Sequence, residues 1–107
     1  MINQEKAEQA LNYLAETDEE YAELYRETKI LEKSEKRILA IGFCNANDKT
    51  AVAREHRKYL ADEYNEWLEN YSQVIKKYEL MKAKRDRARI TIDFWRSLNA
   101  NRRQGHV

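Results

Sequence analysis

A chain of 107 residues is long enough for one small domain, and two glycines with no proline cannot supply the roughly five to seven turns of a β-sandwich or barrel. Charged residues make up 36%, and Ala, Glu, Lys, Leu and Arg dominate; the lone Cys44 leaves no internal disulfide framework, so the profile is that of long helices. The net charge of +1 hides an uneven split: residues 1–42 carry 10 acidic and 6 basic side chains, and residues 76–107 carry 3 acidic and 10 basic ones, which allows the halves to pair and leaves a surplus for a partner.

The start, Met1-Ile2-Asn3-Gln4-Glu5-Lys6, has no basic region followed by an apolar stretch, so no signal peptide is expected. The longest apolar run, Ile38 to Ile41, falls far short of the roughly 20 residues a membrane span needs. A cytoplasmic protein without membrane contact is the simplest expectation. From about Gln4 to Ile41 apolar residues recur at helical spacing: Ala7, Leu14 and Tyr21, with Ala10, Thr17, Leu24, Leu31 and Ile38. Thr28 and Glu35 interrupt the seam. Thr17-Asp18-Glu19-Glu20 has the form of a capping box and would allow a new helix to start there. The heptad frame passes through Thr17 without a phase change, which favours one continuous helix.

Gly42-Phe43-Cys44-Asn45-Ala46-Asn47-Asp48 is the turn signal. Gly42 suits the left-handed position that closes a helix, and Asn47 or Asp48 suits the cap of the next. A second helix is expected from about Lys49 to Asn101, with a frayed tail over 102–107. Its seam is strict: Leu60, Tyr64, Trp67, Tyr71, Val74, Tyr78, Met81, Arg85, Ala88, Ile92 and Trp95 alternate at steps of four and three. Leu68 and Ile75 widen it. The expected architecture is all-α, one long antiparallel helical hairpin of coiled-coil type over 1–107.

A turn centred near residues 45–46 would set residue k of the first helix opposite residue 91 − k of the second. Everything beyond about Ile90 would then overhang. Ile92, Phe94, Trp95 and Leu98 would lack cover, and the natural remedy is self-association through them.

The basic cluster of the second half carries the strongest functional signal: Lys76, Lys77, Lys82, Lys84, Arg85, Arg87, Arg89, Arg96, Arg102 and Arg103. Lys82, Arg89, Arg96 and Arg103 are seven apart and form one stripe, with a cation about every 10 Å. Such a stripe can track a phosphate backbone while Trp95 and Phe94 stack on bases. The plainer readings are ion pairs within an oligomer and a solvated flank. Glu16, Asp18, Glu19, Glu20 and Glu23 form an acidic patch that complements a helix start or receives a basic partner. Tyr64, Tyr71 and Tyr78 suit a wide, partly wet seam. His56 and His106 stand apart, so no metal site or cofactor is expected, and no nucleophile–base pair or phosphate loop points to an enzyme.

Thr50-Ala51-Val52-Ala53-Arg54-Glu55, the Tyr64…Tyr71…Tyr78-Glu79-Leu80-Met81-Lys82-Ala83-Lys84-Arg85 stretch and Ile92-Asp93-Phe94-Trp95-Arg96-Ser97-Leu98-Asn99-Ala100-Asn101-Arg102-Arg103 resemble small helical proteins of tailed-phage early regions. Over residues 50–103 the layout is similar to phage recombination mediators of the UvsY type. That resemblance implies a self-associating protein that binds single-stranded DNA and serves a recombinase, with Lys82, Arg85, Arg89, Arg96, Arg102 and Arg103 on the DNA. The other reading is a helical protein-binding module: a phage inhibitor of a host or defence protein, or a structural assembly factor.

Overall fold

The computed structural model describes residues 1–103; the expected tail beyond Arg103, with His106, lies outside them. The chain is an all-α helical hairpin. Helix α1 runs over Gln4–Asn45, α2 over Ala51–Arg57, a 3₁₀ turn over Lys58–Leu60 and α3 over Asp62–Arg103. No helix is long and apolar enough to cross a membrane.

Helix α1 is continuous through Thr17. The Thr17 hydroxyl donates to the Tyr13 carbonyl four residues back at 2.7 Å, the bond a mid-helix threonine makes when it is not capping. Thr28 does the same with Leu24 at 2.8 Å and is among the most buried residues, so the seam is not interrupted there. The helix continues four residues past Ile41, and Gly42 sits inside it rather than closing it.

The second helix is not one piece. Ala61 adopts φ −65°, ψ 145°, an extended conformation that separates α2 and the 3₁₀ turn from α3. The cap of α2 is Thr50, whose hydroxyl accepts from the Ala53 N–H at 3.1 Å; Asp48 instead holds Arg54 through its carbonyl at 2.8 Å and Arg57 through its carboxylate at 3.2 Å. Residues 46–61 therefore form the connection, which is longer than a seven-residue turn.

The chain divides into two compact units: Met1–Ala22 with the chain from Glu79 onward, and Glu23–Tyr78. Each contains a stretch of α1 antiparallel to a stretch of α3.

In the second unit, Trp67 is the centre. It is buried, its indole N–H donates to the Leu31 carbonyl at 2.8 Å, and its ring lies between Tyr71 at 5.2 Å and Tyr64 at 5.5 Å. Tyr59 meets Tyr64 edge-on at 5.5 Å. The Tyr71 hydroxyl donates to Glu32 at 3.2 Å; burial first, and then that bond, push its pKa upward. Tyr25 meets Tyr78 with ring centroids 6.0 Å apart. Leu60, by contrast, stays exposed, because the break at Ala61 takes it off the seam.

Gly42 marks where α1 meets the connection. A Cβ there would lie 3.3 Å from the Cα, Cβ and carbonyl oxygen of Lys58. The glycine thus serves close backbone approach, not a left-handed turn. Gly42→Val is expected to cost about 1–3 kcal/mol, because backbone cannot yield to the added methyls as a flexible side chain would. Urea unfolding followed by circular dichroism checks this; unchanged stability would contradict it.

In the first unit, Arg85 meets Leu14, Thr17 and Asp18. Contacts in both units place residue k of α1 near residue 100 − k of α3, about nine residues beyond the turn-centred register. The cause is the length of the α2 connection. The overhang of Ile92, Trp95 and Leu98 is accordingly corrected: all three are half-buried, and only Phe94 of the four is exposed, at 52%.

Candidate nucleic-acid interface

Arg85 stands at a seam position, and the structure keeps it there. It is 5% exposed. One guanidinium nitrogen donates to the Leu14 carbonyl at 2.9 Å and to the Thr17 hydroxyl at 2.7 Å; the other donates to Asp18 at 2.7 Å. The group lies 4.8 Å from the centroid of the Tyr21 ring, a cation–π distance. Its Nε is buried without a hydrogen-bond partner. Arg85 is therefore a structural cation that ties α3 to α1, and it offers no donor to a phosphate.

The same register brings the acidic patch into use. Asp18 opposite Arg85 sets Glu16–Glu20 along the Lys82–Arg89 stretch. Within the patch, Asp18 pairs with Arg85 across the helices and Glu23 pairs with Arg26 along α1. Lys82, Arg89, Arg96 and Arg103 still share an exposed stripe. Along it Glu79, Asp86 and Asp93 precede the first three cations by three residues, the spacing of an intrahelical ion pair, and Asp86 reaches Arg89 at 3.7 Å. Ala100 stands where the next acid would fall. Arg103, with Arg102 beside it, has no such neighbour, so the unbalanced positive charge concentrates at the last turns of α3.

That end of α3 also carries a groove of about 870 Å³. Ala7 and Leu11 of α1 and Ile92 and Trp95 of α3 give it an apolar lining; Arg96, Arg102 and Arg103 give it cations. Gln4 and Asn99 contribute amides, and Glu8 is its one carboxylate. Of the residues expected on nucleic acid, four come together here: Trp95, Arg96, Arg102 and Arg103. Lys82 and Arg89 lie two heptads and one heptad, respectively, before Arg96 on the stripe, and Arg85 is withdrawn from it. The α1 half of the groove had no sequence signal, since Gln4, Ala7 and Leu11 are ordinary helix residues whose role depends on the register.

Of the four side chains expected at an oligomer interface, Ile92 and Trp95 line this groove, and Phe94 faces outward near Ile90, itself 66% exposed. Among the described residues no group of three His, Cys, Asp or Glu side chains is placed to hold a metal ion. No family model, curated protein or solved structure matches the chain.

Proposed function

We propose that this is a non-enzymatic nucleic-acid-binding protein of a bacteriophage, acting in the host cytoplasm as a recombination or replication accessory that prefers single strands. The observation that carries the reading is the gathering of Trp95 with Arg96, Arg102 and Arg103 at one groove, where positive charge is least balanced by carboxylates. Cations neutralise phosphates and release counterions, and an indole gives a face on which any base can stack. Lys82 and Arg89 extend the path along α3. The similarity to UvsY-type mediators supports the assignment to recombination and the expectation of a recombinase partner.

The test is fluorescence anisotropy of a labelled single-stranded oligonucleotide at several salt concentrations. Binding is expected to weaken steeply with salt, and Arg96→Ala with Arg103→Ala is expected to reduce the log–log slope by about 1–2. An unchanged slope would remove this surface from the site.

Exposed Leu80, Ile90 and Phe94 on α3 favour a second reading, a protein-binding module or a self-associating one. A partner retained from bacterial lysate after nuclease treatment, together with no oligonucleotide binding at low salt, would make that reading the better one.

A further inference from the structure

The groove has features that tracking a phosphate backbone does not require. Exposed arginines on one helix suffice to hold a polynucleotide backbone. Here two helices cooperate. Leu11 of α1 lines the groove and yet is 57% exposed, because the side chains around it leave the space above it open. The opening lies within the usual range of small-ligand clefts. Its lining pairs an apolar floor that includes one large ring with three guanidinium groups. Gln4 and Asn99 set amides, each both donor and acceptor, beside that floor. The one carboxylate, Glu8, accepts from the Gln4 side chain at 3.1 Å along α1. The excess charge of the lining is positive, so its occupant is anionic, and the floor asks for a flat or apolar group.

We propose that the groove seats a single unpaired base of a nucleic-acid strand, laid against Trp95 and Leu11, with its flanking phosphates on Arg96, Arg102 and Arg103. This rests on the nucleic-acid reading and adds two things to it. Helix α1 supplies half of the site. Strand type is selected by the groove, since a base held in a duplex stack cannot enter without being extruded.

The experiment compares a labelled single-stranded oligothymidylate with a blunt duplex of the same length, for the wild-type protein and two variants. Ala100→Leu, at a residue of α3 that also lines the groove, narrows it and keeps every cation. Leu11→Gln removes apolar floor from α1, at an exposed position where folding is not at stake. Melting curves matching the wild type establish that each variant is folded. The wild type is expected to prefer the single strand by about tenfold or more, the scale of one stacked base. Both variants are expected to lose about tenfold in single-strand affinity, with the salt slope and the duplex affinity unchanged. Variants that bind the single strand as the wild type does, with the preference intact, would overturn the groove as the seat of a base and leave the phosphate contacts standing. No binding of either nucleic acid at low salt would overturn both readings.

Discussion

Trp67→Ala is expected to destabilise the protein by about 3–5 kcal/mol, the range for deleting a large buried aromatic side chain. Three losses combine. The indole is 6% exposed, so its whole apolar area returns a cavity to the seam. Its stacking partners Tyr64 and Tyr71 lose the ring between them. The Leu31 carbonyl loses the N–H that reaches it across the two helices at 2.8 Å. Trp67→Phe separates these contributions. It keeps an aromatic surface between the tyrosines and removes the donor, and its expected cost is about 1–2 kcal/mol. Circular dichroism in urea is the measurement, since the substitution removes a fluorophore. A Phe variant as damaged as the Ala variant would make the hydrogen bond, not the ring stack, the main contribution.

Arg85→Ala is expected to cost about 2–4 kcal/mol, and Arg85→Met less than half of that. The asymmetry follows from the two ends of the ion pair. The arginine side chain is 6% exposed and the Asp18 side chain 65%. When the arginine is removed, Asp18 remains hydrated and no buried charge is left alone. What alanine forfeits is volume in the seam, the bonds to Leu14 and Thr17, and the face of Tyr21. Methionine restores the volume and the contact with the ring. It also removes the orphaned Nε, which offsets part of the loss. The same variant distinguishes structure from binding: folded Arg85→Met is expected to bind oligonucleotide with the wild-type affinity and salt slope. A shallower slope would return Arg85 to the nucleic-acid surface.

The helical class, the continuity of α1 and the α3 seam from Tyr64 to Trp95 are legible in the residues themselves. Glycine and proline are scarce, and the 4-3 spacing is unbroken over that stretch. The break at Ala61 is not legible, because alanine is the best helix former and Leu60 keeps the heptad spacing on both sides of it. The acidic pair Asp62-Glu63 that opens α3 is a weak sign of a helix start. From the break at Ala61 the differences in register follow. A turn centred near residues 45–46 makes the connection too short, sets the register about nine residues early and leaves the α3 end uncovered. Arg85 shows its seam position in the 4-3 spacing, and only the resemblance to DNA-binding mediators sets it on DNA; the buried guanidinium stays with the seam. Gly42 differs for another reason: a glycine needed for close approach and one needed for a left-handed turn have the same letter, and only the position of Lys58 separates them.

The two units differ in how their parts are ordered along the chain. The second unit is one contiguous stretch, residues 23–78, whereas the first joins segments that lie on either side of it. During translation, at roughly 5–20 residues per second, residues 1–22 wait on the order of several seconds before the chain that covers them begins to emerge. Closing that distance is the most demanding loop closure in the fold. The waiting segment holds six carboxylates against one lysine, and the segment it waits for holds eight cations against three carboxylates. Opposite excess charge draws the two together before any side chain has packed. The lopsided composition thus acts as a long-range guide for the slowest encounter of the nascent chain.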